Sequence, residues 1–175
     1  DAEHGGDAEG ADEEAAPVVP DPRHLSNGWN IPSEGYADQP YIVKTDDGAW
    51  LCVITTGRST EGAKGQHVVT TRSSDRGRTW SDLVDIEPAD GPEASWVIPL
   101  VTPSGRVYAF YDYNGDRVTT LGDKKGIRAD MLGWYVYKYS DDNGRTWSAD
   151  RYRLPIRVTA CDRGNDWQGK VQIMW

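Results

Sequence analysis

The sequence predicts an all-β protein made of four-stranded antiparallel meanders. Three observations predict it. From Tyr36 onward the chain consists of short β-rich runs punctuated at close intervals by Gly, Pro and Asp. No long stretch carries the 3.6-residue apolar period of a helix. The same succession of strands and turns then occurs a second time.

The elements follow in order. Asp1 to Pro22 hold Ala, Gly, Pro and acids with almost nothing to bury, so this segment cannot offset its own ordering entropy and reads as a disordered acidic tail or linker before a folded part over 23–175. Pro40–Lys44 and Ala49–Thr55 flank Asp46-Asp47-Gly48, whose Asp side chains and Gly suit a tight hairpin turn. A loop at Gly57–Gln66, a strand at His67–Arg72, a turn at Asp75–Gly77 and a strand at Leu83–Glu87 complete the first meander. The second runs through Val97–Thr102, a turn at Pro103-Ser104-Gly105, Arg106–Asp112, a longer loop, Gly133–Tyr139, a turn at Asp142–Gly144, and Tyr152–Pro155.

Both meanders carry the same box in the turn after their third strand. Ser73-Ser74-Asp75-Arg76-Gly77-Arg78-Thr79-Trp80 and Ser140-Asp141-Asp142-Asn143-Gly144-Arg145-Thr146-Trp147 each satisfy S-x-D-x-G-x-T-W. Five fixed residues match by chance at well under about one starting position in a million, so two matches mark a true repeat. Each residue has a task there: the carboxylates of Asp75 and Asp142 can accept backbone N–H groups, Gly77 and Gly144 can take positive φ, and Trp80 and Trp147 can bury a large ring. Ser73, Thr79, Ser140 and Thr146 complete the box as a staple of the hairpin. Metal binding by Asp141, Asp142 and Asn143 is disfavoured, because the bidentate Glu that closes a calcium loop is missing.

Composition excludes several function classes. The formal net charge is -9, but eight acids lie between Asp1 and Asp21 with no Lys or Arg among them; setting those aside leaves 20 acids against 19 bases. A nearly neutral body lacks the basic footprint of a nucleic-acid binder. No apolar run approaches the ~20 residues of a membrane-spanning helix. Cys52 and Cys161 are too few for a disulfide framework and read as two unpaired apolar side chains in strands.

The two boxes resemble the Asp boxes, or BNR repeats, of the sialidase (neuraminidase) superfamily, over about Ser33 to Trp175. The resemblance implies a six-bladed β-propeller of sialidase type, with blade one at about 36–88, blade two at about 93–157 and the start of blade three at about 166–175, Gly169–Trp175 being its innermost strand. A whole ring needs roughly twice this many residues. An N-terminal fragment, inactive alone, of a secreted or periplasmic protein is therefore expected. The implied activity is that of a glycoside hydrolase acting on a glycan or polysaccharide, with a non-catalytic carbohydrate-binding propeller as the alternative; no cofactor and no metal are implied.

In that family the substrate face is formed by the starts of the innermost strands and by the loops between second and third strands, with the Asp boxes on the opposite face. Carried onto this sequence, the face receives Asp38 and Gln39, then Glu93, Ser95 and Trp96, then Asp166, Trp167 and Gln168, under the loops Gly57–Gln66 and Tyr113–Met131. The family's first substrate-gripping arginine, in an Arg-Ile-Pro motif, corresponds to Asp38 of Asp38-Gln39-Pro40. An acid there points to a substrate other than sialic acid. The family's acid/base Asp falls near Gly62, where the nearest carboxylate is Glu61.

The residues themselves leave alternatives. Glu61 in its Gly-flanked loop suits a general acid or base, or a solvated loop charge. Asp38 and Glu93 form a catalytic carboxylate pair or are half-buried turn acids. His67 serves proton transfer or is a structural histidine at a strand start. Trp96 and Trp167 stack on a sugar face or pack between blades, and Arg128 with Asp130 makes a clamp for an anionic substrate or a surface ion pair.

Overall fold

The computed structural model describes residues 20, 21 and 23–164, and the backbone of 172–173; the expected tail, apart from Pro20 and Asp21, and the expected site residue Trp167 lie outside the described residues. In the first sheet, β1 (Tyr36–Lys44), β2 (Trp50–Gly57), β3 (His67–Ser73) and β4 (Val84–Asp85) lie side by side in chain order, each antiparallel to the next. The second sheet repeats the plan with β5 (Ala94–Val101) and β6 (Val107–Tyr113). A small hairpin of β7 (Thr120–Leu121) and β8 (Lys124–Lys125) intervenes, and β9 (Leu132–Ser140) and β10 (Tyr152–Arg153) complete the sheet. The two tandem meanders are thus as the sequence predicts.

Three features differ from expectation. The long loop of the second meander is ordered by its own hairpin over a small cluster of Leu121 and Leu132 with Val118, Ile127 and Met131. Cys161 lies exposed in a short helix, α1 (Ala160–Gly164), whereas Cys52 is buried in β2 as expected, its thiol pushed up to about 12 by burial. Of the strand expected at Gly169–Trp175, only β11 (Gln172–Ile173) is described, and it pairs with Leu132 and Gly133 on the edge of the second sheet. The edge is open there because β10 spans only two residues and pairs farther along, at Val136 and Tyr137.

The sheets pack face to face. Val53, Val68 and Ile86 from the first interdigitate with Ala94, Val97, Ala109, Tyr111 and Val136 from the second. Alternation along β6 explains which residues enter: Val107, Ala109 and Tyr111 are buried, while Tyr108 and Phe110 turn to the other face. Strand β2 is buried on both faces, Cys52 and Ile54 meeting Val69 with Ile31, Trp80 and Leu83. That is why Trp50–Thr56 reads as a continuous run without alternation. Each buried aliphatic side chain contributes about 1.5–3 kcal/mol. The interface also buries a polar knot: the Glu87 carboxylate accepts the Tyr111 hydroxyl and Arg151 Nε at 2.7 Å, with Lys138 Nζ 3.5 Å away.

The boxes staple the turns after β3 and β9 in the same way. Asp75 Oδ1 accepts the Thr79 N–H at 2.9 Å and Oδ2 the Thr79 hydroxyl at 2.6 Å; Asp142 does the same with Thr146 at 2.9 and 2.6 Å. Ser73 and Ser140 hydroxyls accept the N–H groups of Gly77 and Gly144, each at 2.7 Å. Those glycines sit at φ 86° and 83°, and a Cβ on Gly144 would fall 2.6 Å from the Leu51 side chain. Trp147 packs into the inter-sheet core and Trp80 on the far face of the first sheet.

Candidate functional site

A cleft of about 530 Å³ opens at the ends of the strands remote from the boxes. Strand β3 begins at the cleft end and reaches its box after seven residues, which at ~3.3 Å each places the two ends roughly 20 Å apart. Tyr36, Asp38, Gln39 and Tyr41 of β1, Glu61 of the loop after β2, Trp96 and Ile98 of β5, and Tyr135 of β9 line it.

Two matching β-bulges build the floor. In β1, Gln39 and Pro40 together oppose Ile54; in β5, Trp96 and Val97 together oppose Tyr111. The first bulged residue of each pair has positive φ, 48° at Gln39 and 56° at Trp96, a region that side-chain-bearing residues seldom occupy. Pro40 is tolerated because β1 lies at the edge of its sheet. The Trp96 N–H is held by Thr55 Oγ1 of the first sheet at 2.8 Å, so the two bulges are fixed to each other across the interface. Positive φ thus recurs at equivalent positions of the two repeats on this cleft, as it also does at Arg76 (63°) and Asn143 (62°) in the turns of the two boxes.

The acidic wall is organised from behind. Arg128 Nη2 donates to Glu61 Oε1 at 2.6 Å, and Arg128 grips Asp130 with Nε and Nη2, both at 3.0 Å. Asp130 is wholly buried whereas Glu61 is half exposed, at 0% and 50%. Gln66, also buried, ties these parts together: its Oε1 accepts the Gly62 N–H at 2.8 Å and its Nε2 donates to Ser95 Oγ at 2.6 Å, with Asp130 Oδ2 at 3.5 Å. Nearby Asp112 is buried with Oδ1 unpartnered, and burial, reinforced by the charge of Asp130, pushes its carboxyl up to about 8. The Tyr36 hydroxyl is shifted well above the usual phenol range, first by burial and then by the carboxylates of Asp38, Glu61 and Asp130.

Four of the sequence-predicted residues therefore converge on the cleft: Asp38, Gln39, Glu61 and Trp96. Arg128 and Asp130 support it as an ion pair, and the two carboxylates on Arg128 occupy the guanidinium edge that an anionic substrate would need. Glu93 and His67 do not line it. Glu93 accepts the Gly65 N–H at 3.2 Å beside a separate hollow of about 230 Å³, and burial raises its carboxyl. His67 starts β3, two strands away from β1, and is buried with Nδ1 3.0 Å from the Gly65 carbonyl and Nε2 3.5 Å from Asp85. Sequence reasoning missed Tyr36, Tyr41, Ile98, Tyr135 and Gln66. The first two were signalled by their places beside Asp38-Gln39-Pro40; Tyr135 carried no local signal. Among the described residues, no group of three or more His, Cys, Asp and Glu is arranged to hold a metal ion.

No family model and no curated protein matches the chain. Solved structures do. A sialidase is among them. Hadza microbial sialidase Hz136 superposes with a TM-score of 0.48 at 16% identity, over 65% of this chain and 25% of that one. A protein of unknown function from Dyadobacter fermentans DSM 18053 superposes with a TM-score of 0.54 at 15% identity, over 76% of this chain and 39% of that one. The chain thus spans about a quarter and two-fifths of the lengths of these two proteins. At such identity the second likeness is one of fold alone.

Proposed function

We propose that this chain is part of a sialidase-type β-propeller that acts on a glycan other than sialic acid. One observation carries the reading: the cleft at the strand starts combines aromatic rings (Tyr36, Tyr41, Trp96, Tyr135) with two carboxylates, Asp38 and Glu61. Aromatic faces stack on sugar rings, and most glycoside hydrolases that act on sugars other than sialic acid use a pair of carboxylates flanking the scissile bond. The twin boxes at the other end support the propeller. So does the outer face of the second sheet, where Tyr108, Phe110, Tyr137, Tyr139 and Tyr152 stack on one another as a surface suited to a further blade. Asp38 at the position of the first sialidase arginine argues against a carboxylate-bearing sugar.

A second reading, carbohydrate binding without catalysis, is favoured by the Arg128 contact that already engages Glu61. A glycan array followed by a hydrolysis screen of the captured glycans, both run on the full-length protein with its complete ring of blades, separates them. Loss of product formation with retained binding in Glu61→Gln supports the hydrolase; binding without turnover in the unaltered protein supports the lectin-like reading. No captured glycan at all refutes both.

A further inference from the structure

We infer that the cleft takes a positively charged, amine-bearing sugar. The inference rests on the glycan reading above and deepens it by naming the substrate class. The residues lining the cleft include two carboxylates and no Lys or Arg. Behind the wall, the single guanidinium of Arg128 is shared by Glu61 and the buried Asp130. Counting Asp38, Glu61 and Asp130 against Arg128 leaves two uncompensated negative charges around the cavity. The Tyr36 hydroxyl reports the same field, since these three carboxylates all oppose its ionisation after burial itself.

An ammonium group entering here exchanges its hydration for two kinds of partner. Ring faces of Trp and Tyr attract a cation through their quadrupole, and four aromatic side chains line the cavity. Asp38 supplies a carboxylate with no cation beside it among the described salt bridges. A carboxylate sugar would meet the same field with the opposite sign, and a neutral sugar would gain the stacking and hydroxyl hydrogen bonds to the carboxylates but no charge attraction. Specificity is then set by repulsion as much as by attraction. The bulges at Gln39 and Trp96 fix this arrangement, because they turn the polar start of β1 and the indole of β5 into one cavity.

The test is calorimetric titration of the protein with three tetrasaccharides: a glucosamine oligomer with protonated amines, its fully N-acetylated counterpart, and an oligogalacturonate. The amine oligomer should bind at least about tenfold more tightly than the acetylated one, and added salt should weaken it. Asp38→Asn should remove most of that advantage, bringing the affinity ratio of the two oligomers from about tenfold toward one. Asp38→Lys should shift preference toward the oligogalacturonate; both variants change a half-exposed side chain, and their melting temperatures confirm that they fold. Equal or tighter binding of the acetylated or acidic oligomer overturns the charge inference and leaves the glycan reading standing. Failure of all three to bind, with other glycans captured on the array, also overturns the charge inference. Failure on the array as well overturns the glycan reading.

Discussion

Gln66→Leu tests whether the cleft wall is held from behind as the geometry indicates. The side chains have similar volume, so the substitution removes hydrogen bonds rather than packing. Three polar groups lose a partner: the Gly62 N–H, the Ser95 hydroxyl and Asp130, the last two buried. A buried polar group left unpaired costs about 1–3 kcal/mol. The Asp130 contact is long at 3.5 Å and Asp130 keeps Arg128, so one full loss at buried Ser95 and a smaller one at the part-buried Gly62 N–H dominate, and the expected destabilisation is about 2–4 kcal/mol. For a chain of this size that lowers the melting temperature by roughly 5–15 °C. Scanning calorimetry measures it, and Gln66→Glu separates the two bonds: it keeps the acceptor for Gly62 but places a charge beside buried Asp130. Because Gly62 follows Glu61 directly, glycan affinity should fall in Gln66→Leu even well below its melting temperature. A shift under about 2 °C with unchanged affinity would show that Gln66 does not organise the wall.

Two further predictions concern the charged groups. Asp112 has a folded pKa of about 8, above its unfolded value, so its contribution is most favourable at low pH and is lost as pH rises from the ordinary carboxylate range through about 8. Asp112→Asn should therefore raise the melting temperature at pH 8–9 relative to the unaltered protein and show little gain near pH 4, as followed by circular dichroism; an equal effect at both pH values would refute the assignment. Asp142 is held down to about 2, so its support is present above the ordinary carboxylate range and is lost as pH falls toward about 2. Asp142→Ala should destabilise by about 1–2 kcal/mol at neutral pH while leaving glycan affinity unchanged, since the box lies at the strand end remote from the cleft. Binding lost without a drop in melting temperature would place the box at the functional end.

What the sequence disclosed depended on how local the geometry was. The boxes were legible because their hydrogen bonds span at most four residues, so Ser, Asp, Gly and Thr at fixed spacing are the structure. Asp38, Gln39, Glu61 and Trp96 were legible at one remove, through the family resemblance, which implies that the starts of the innermost strands and the second-to-third-strand loops share one face. The bulges were not legible, because whether Gln39 and Pro40 share a partner is decided by register against β2. Nor was the engagement of Arg128, whose contact with Glu61 joins positions 67 residues apart. The strand start and imidazole chemistry of His67 fitted either a proton-transfer residue or a structural histidine; it lies buried at the start of the third strand with Nε2 3.5 Å from Asp85, outside the lining of the cleft.

The two ends of the strands differ in how their charges are treated, and this divides stability from function more sharply than motif position does. At the box end the acids are held down by partners: Asp75 and Asp142 to about 2 by hydrogen bonds, and Asp47 lower still beside Thr45, Arg145 and Arg72. Asp47 binds Arg72 at 2.6 Å and Arg145 at 2.8 Å, joining the first hairpin turn, the third strand and the second box into one clasp across the two sheets. At the cleft end two acids are raised, Asp112 and Glu93, both by desolvation, and each keeps a buried oxygen without a partner. Two side-chain-bearing residues there also occupy positive φ in the middle of strands. Unpaired buried oxygens and strained backbone both cost folding free energy, and a fold tolerates them where they shape a site. Substitutions at the cleft end should then be able to raise stability while removing binding.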